Sequence, residues 1–397
     1  MIEIGMKNSI VIAATAGLFA SVAHAQSSVT LYGIIDEGLS YSTNSGGHSL
    51  WTLNSGVLQG SRFGLRTSED LGGGVKAIAT LENGFDASNG RLGQGGLMFG
   101  RQAYVGLSSG QAGTATFGRQ YDSVVDYVGQ LGAADQWGGY ISAHPGDLDN
   151  FNNAYRSNNT IKYRSPTYSG ISFGGTYSLG GIAGNVTANQ IWSVGVGYSG
   201  GPLTAGVGYL NARTPYSSGG LFNNSGTVAS QTTAVASTVY SGYSSASTYQ
   251  VIAAAVAYTM GAATLGATYS NIKFMDLASN GASVYARGAS ASFNNGELNF
   301  KYQLTPALLL GAAFDYTDRN AVTLASGQDS GGAKYYQGAV GVDYFLSKRT
   351  DLYFIGVYQK ASGTDSRNGA AVANITNFTA SSSDRQTVLR LGMRHKF

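Results

Sequence analysis

Residues 387–397 read TVLRLGMRHKF. Leu389, Leu391, Met393 and Phe397 fall on one parity, and Arg390, Gly392, Arg394 and Lys396 fall on the other. Successive side chains of an extended strand point to opposite faces, so this stretch has an apolar face and a cationic one. A helix would scatter the same cations around its circumference. The other end of the chain behaves alike: Val29, Leu31, Gly33, Ile35 and Leu39 alternate with Thr30, Tyr32, Asp36 and Ser40, and Glu37 breaks the pattern. Between them the same period recurs, as in Phe63 and Leu65 against Arg62 and Arg66, or Leu298, Phe300, Tyr302 and Leu304 against Asn299, Lys301 and Gln303.

Sixteen such segments follow one another: about 28–43, 58–69, 73–86, 99–108, 113–121, 158–166, 170–180, 190–199, 202–212, 246–259, 262–275, 295–304, 306–318, 334–347, 350–361 and 385–397. Their connections alternate. Gly- and Ser-rich stretches at 44–57, 122–157, 213–245, 276–294, 319–333 and 362–384 are long, while turns such as 200–202, 260–261 and 305–306 are tight. Long loops at one end, short turns at the other and both termini on the short-turn side describe an up-and-down meander closed on itself. An unpaired backbone N–H or C=O costs several kcal/mol in hydrocarbon, so a spanning sheet can have no edge. Strands of about 9–11 residues cross a bilayer when tilted, and a barrel of about 16 strands is too wide for side chains to fill. The expected fold is therefore all-β: a 16-stranded antiparallel transmembrane β-barrel with short periplasmic turns and long external loops.

Composition agrees. Charged residues are 11% of the 397, and Gly contributes 58 with only 5 Pro. A typical soluble protein carries about 25% charge and about 7% Gly. The glycines have no triplet period, which excludes collagen. An apolar content of 43% with a net charge of +3 does not suit a disordered chain or a nucleic-acid partner, and no Cys is present to staple a disulfide scaffold. A secreted β-solenoid or adhesin would also alternate, yet no period of about 20–50 residues recurs. Residues 1–25 carry Lys7, an apolar run from Ile10 to Ala23 and a closing Ala23-His24-Ala25. That run is too short to span a bilayer and ends in the small-x-small pattern cut by signal peptidase, which predicts an exported mature chain, 26–397.

Several segments resemble the Gram-negative general porins of the β-proteobacterial type. They are 28–36 (SVTLYGIID), 60–71 (GSRFGLRTSEDL), 99–106 (FGRQAYVG), 116–121 (TFGRQY), 156–166 (RSNNTIKYRSP), 346–350 (LSKRT) and the terminal Phe397. The resemblance implies a homotrimer of barrels among outer-membrane lipid, passing small hydrophilic solutes and ions, with the third external loop folded inward. It also implies that Phe397 is the signal read by the barrel-assembly machinery.

That loop, about 122–157, carries Asp122, Asp126, Asp135, Asp147 and Asp149. Parity sends Arg62, Arg66, Lys162 and Arg164 toward the lumen, as it does Arg390 and Arg394, since a cation on the lipid face at mid-depth costs about 2–4 kcal/mol. The resemblance adds Arg101 and Arg156, and more weakly Arg119, as residues of the narrowest point. The expected constriction is thus Arg62, Arg101, Arg156 and Arg119 against Asp122 and Asp126, with a modest preference for anions. A substrate-specific channel, the alternative, would need an aromatic ladder that the sequence does not display. No catalytic site, cofactor or metal is expected. Gly106-Leu107-Ser108-Ser109-Gly110 falls in a strand turn with no helix to follow, and Gly93-Gln94-Gly95-Gly96 lacks the strand–loop–helix setting of a phosphate cradle. Asp147-Leu148-Asp149-Asn150 lacks the spacing and closing Glu of a calcium loop. The mass of the mature protein from membranes should correspond to a chain beginning at Gln26; retention of the leader would contradict the export reading.

Overall fold

The computed structural model describes residues 27–213, 237–279 and 283–397. The leader expected over 1–25 and most of the 213–245 loop lie outside the described residues. Six strands, β1 (Ser28–Ser45), β2 (His48–Ser55), β3 (Arg62–Asp70), β4 (Val75–Gly84), β5 (Gln102–Ser109) and β6 (Gly113–Gln120), precede the loop at 121–156. After it come β7 (Ser157–Arg164), β8 (Ile171–Ser178), β9 (Ile191–Gly200) and β10 (Leu203–Arg213). The remainder are β11 (Thr248–Met260), β12 (Ala263–Met275), β13 (Ala291–Thr305), β14 (Leu308–Arg319), β15 (Ala333–Phe345), β16 (Thr350–Gly363) and β17 (Arg385–Lys396).

Apart from β2 and β3, each strand pairs antiparallel with the next in the chain, and β17 returns to β1. The seventeen described strands make sixteen staves, because β2 and β3 share one: Glu37–Ser45 of β1 faces β2, and Ser28–Ile34 faces β3. The closing seam is stitched at the last residue. Gly33 N donates to Phe397 O at 3.0 Å, and Phe397 N donates back to Gly33 O at 3.0 Å. Closure leaves no sheet edge, as a spanning sheet requires.

The first connection differs from its expectation. Residues 44–57 are not a long loop: β1 runs to Ser45, the chain reverses at Gly46 and Gly47 (φ of 64° and 106°), and β2 continues the wall. The Ser, Asn and Gly content of this stretch resembles loop sequence, but Trp51 and Leu53 still alternate with Thr52 and Asn54. Conversely, the strand expected to start near 58 begins only at Arg62, because 56–61 leaves the wall.

The two faces sort as parity predicts. Leu31, Leu53, Val105, Phe117, Leu298 (67% exposed), Phe314 and Leu391 (62%) point outward. Ser40, Thr80, Thr116, Thr160, Ser193, Thr268, Asn295 and Gln359 are buried inside. Arg390, 1% exposed, donates to Asp36 Oδ1 at 3.2 Å, to the Tyr353 hydroxyl at 2.8 Å and to the carbonyls of Gly38 and Asn54. Arg394 pairs with Asp351 at 2.8 Å and Asp343 at 3.4 Å. These two interior arginines are thus matched by carboxylates, whereas the outer belt is apolar. Leu391→Arg should destabilise the lipid-embedded barrel by about 2–4 kcal/mol, measured by reversible urea unfolding in vesicles, because it puts a cation among acyl chains. A neutral result would mean that this face does not meet lipid.

Candidate functional site

Residues 121–156 fold into the barrel, and the glycine-rich wall is what admits them. A short helix, α1 (Ser123–Tyr127), lies on the inner face of β9 and β10. A Cβ at Gly208 would sit 3.1 Å from Val124, and one at Gly197 would meet the Tyr127 ring at 3.0 Å. Farther round, the Trp137 indole rests against Gly311 of β14 and Gly341 of β15. Side chains at these inward positions would exclude the loop.

Polar contacts fix it further. Asp122 caps α1, accepting from Val124 N at 2.7 Å and Val125 N at 3.2 Å, while Asn150 Nδ2 donates to its other oxygen at 2.7 Å. Asp147 accepts from the backbone of Asn152 and Ala154, both at 3.0 Å. His144 lies 2.7 Å from Asp149, 3.5 Å from Glu297 and 3.8 Å from Asp315. Burial alone would lower the His144 imidazolium, but Asp149 and Asp315 hold it well above the usual histidine range. Ala133 N donates to Glu297 at 2.9 Å, and Gln337 Nε2 donates to the carbonyls of Ser142 and Ala143. Asp122, Asp147 and Asp149 are therefore internal fasteners of the loop. Burial pushes the Asp122 carboxyl up to about 6, and its side chain does not face the passage, contrary to the expectation. Asp126 binds Lys162 at 2.5 Å, an ion pair that cancels both charges.

Between the inward loop and the wall lies a cavity of about 530 Å³. Arg62, Arg101, Tyr121 and Arg156 line one side; Gln130, Asp135, Tyr140, Asn152 and Asn153 of the inward loop line another. Glu82 on β4 binds two of the arginines from behind. It accepts from Arg101 Nε at 2.8 Å and from the hydroxyls of Tyr32 (2.9 Å) and Tyr121 (3.3 Å), with Arg62 Nε at 3.8 Å. The Arg156 guanidinium stands 5.7 Å from the Tyr121 ring centre. Burial, then the neighbouring Arg101 charge, pulls Arg156 down to about 10, so it stays cationic at neutral pH. Asp135 touches the water of the passage yet is ringed by protein, which pushes its carboxyl up to about 6.

The other basic residues lie elsewhere. Arg66 stacks over Tyr32, 4.3 Å from the ring centre, and Arg164 is exposed on β7. Arg119 does not reach the passage. Gly118, with φ of 139°, breaks the β6–β7 register, and Arg119 is buried, donating to Gly100 O at 2.8 Å and to Asn158 Oδ1 at 2.5 Å. Sequence reasoning missed Glu82, Tyr121, Tyr140 and the segment 56–61. The inward parity of Glu82, beside Thr80, was the one available signal for it.

A closed barrel whose waist is narrowed by an inward loop facing a row of arginines is a membrane channel of the porin type. The comparisons with known proteins agree: the family model described as Gram-negative porin matches residues 10–364, and the chain belongs to that family. It is 37% identical over 235 residues to an outer membrane porin protein of Bordetella pertussis, 52% of this chain and 60% of that protein. It is 29% identical to outer membrane porin protein 32 of Delftia acidovorans over 99% of this chain and all of that one. Among solved structures, an anion-selective porin from Comamonas acidovorans superposes with a TM-score of 0.70 at 22% identity, covering 94% of this chain and 100% of that one. OmpT of Vibrio cholerae in its trimer form gives 0.61 at 16% identity, covering 94% of this chain and 99% of that one. The protein is an outer-membrane porin.

Lowering the pH through about 6 should neutralise Asp135 and remove the loop's negative charge from the passage. Zero-current potentials in a KCl gradient should then move toward chloride, while Asp135→Asn should show the shifted potential at neutral pH and no further step near 6. An Asp135→Asn channel with wild-type potential at neutral pH would take this carboxylate out of the conducting path.

Proposed function

We propose that this chain forms a passive, water-filled diffusion channel for small hydrophilic solutes and ions, modestly selective for anions and uncoupled from any energy source. The observation that carries the reading is the charge imbalance at the waist. Three guanidiniums, Arg62, Arg101 and Arg156, border the cavity, and the one carboxylate bordering it among the described residues is Asp135. Glu82 offsets part of the Arg62 and Arg101 charge. A narrow passage with low-dielectric walls concentrates the field of such a cluster, which raises the local concentration of counter-ions. The barrel from Comamonas acidovorans, described as an anion-selective porin, supports the same sign.

The preference is modest because most lumen charge is already paired. Arg390 and Arg394 are held by carboxylates, and Lys162 by Asp126. No stacked ladder of aromatic rings follows the passage among the described residues, so a general channel is favoured over a solute-specific one. The chain acts as a homotrimer, with part of the apolar outer belt buried between copies, and Phe397 serves the barrel-assembly machinery. No catalytic activity is assigned to the chain.

Planar-bilayer recording of the purified protein should give ohmic conductance with chloride favoured over potassium. Neutralising Arg62 and Arg101 together should reduce that preference. A cation preference in the wild-type channel would overturn the selectivity reading, and saturation by a single solute would favour the substrate-specific alternative.

A further inference from the structure

The segment between β2 and β3 interrupts the wall. Gly56, with φ of 72°, turns the chain out of the stave, a backbone conformation that a residue with a Cβ adopts only under strain. Residues 56–61 then project inward before the wall resumes at Arg62. The base of this bulge is fastened to one buried residue, Asp36. Gly56 N donates to Asp36 O at 2.7 Å, Asp36 N donates to Ser61 Oγ at 3.0 Å, and Gln59 N donates to Asp36 Oδ2 at 2.6 Å. The opposite carboxylate oxygen is held by the Tyr353 hydroxyl at 2.5 Å and by Arg390 at 3.2 Å.

The tip of the bulge grips the inward loop. Val57 and Leu58 are buried in an apolar cluster with Ala133, Trp137 and Ile141. Tyr140 N donates to Val57 O at 2.6 Å, and a Cβ on Gly139 would lie 2.9 Å from Leu58 Cα. The same bulge borders the passage: Gln59 and Gly60 line it, and Arg62 donates to Gly60 O at 3.4 Å. One short segment therefore touches both sides of the opening, the arginine row and the loop opposite.

We propose that the 56–61 bulge is a second constriction element, built from the barrel wall, and that Val57 and Leu58 are positioning residues that hold the inward loop at a fixed aperture. The loop's described helical pieces are each five residues or fewer, so no long helix sets its course, and its position depends on side-chain fasteners and on what the wall offers it. Its glycine bed on β9, β10, β14 and β15 supports it from the wall, and the bulge closes the remaining side. Loosening that grip lets Tyr140 and Asp135 move relative to Arg62 and Arg101, changing both the width and the field of the passage.

This inference rests on the chain being an open channel, and the experiment separates the two. Val57→Ser/Leu58→Ser is compared in planar bilayers with wild type and with the volume-keeping Val57→Ile/Leu58→Met. The Ser channel, its barrel shown intact by sheet circular dichroism and heat-modifiable migration, should have severalfold greater open-state current noise and close at lower voltage. The Ile/Met channel should be as quiet as wild type. A Ser channel with wild-type noise and closing voltage overturns the proposal. Absence of conductance in the wild type overturns the channel reading instead. Should the double Ser variant not fold, Leu58→Ala carries the same comparison with the same two outcomes.

Discussion

Everything in this molecule follows from the cost of leaving a backbone N–H or C=O without a partner in hydrocarbon. That cost forbids an edge, so the sheet closes through the reciprocal hydrogen bonds of Gly33 and Phe397. Closure fixes which parity meets lipid, and the apolar set of each strand is spent on the outer belt. The interior is left with hydroxyls, amides and paired charges, a lining that keeps water. A barrel of this girth cannot fill itself with side chains, so the chain supplies a loop to narrow it.

The narrowing is a packing problem as much as an electrostatic one. A loop can lie against a barrel wall only where the wall has no side chains, and glycines provide that bed at β9, β10, β14 and β15. The carboxylates of the loop then satisfy its own backbone and helix cap, as Asp122 and Asp147 do, or lock it to the wall around His144. Acid used in this way is unavailable to the passage, and the arginine row prevails at the waist.

The barrel was legible in the sequence because period-2 alternation is a local signal repeated in every stave. The tight turns and the inward direction of Arg62, Arg66 and Lys162 came from the same signal. The first hairpin was not legible, because Gly46 and Gly47 sit in a Ser- and Asn-rich stretch whose composition masks the strand on either side. The resemblance misled at Arg119, where a backbone irregularity at Gly118 redirects the side chain. The roles of Asp122, Asp147 and Asp149 depend on contacts made inside the folded loop, which no spacing rule reveals. Glu82 was overlooked because one carboxylate on a strand carries no motif; its meaning appears only when Arg62, Arg101, Tyr32 and Tyr121 converge on it.

The natural chain has no Cys, so single cysteines can report which face of the wall meets water. The most direct test places one at a time at Gln130, Asp135, Leu298 and Leu391 and applies a charged, membrane-impermeant thiol reagent during single-channel recording. The account predicts stepwise block at 130 and 135 and no reaction at 298 and 391. Reaction at the outward positions, or modification at 130 and 135 that leaves the current unchanged, would contradict a water column narrowed by the inward loop.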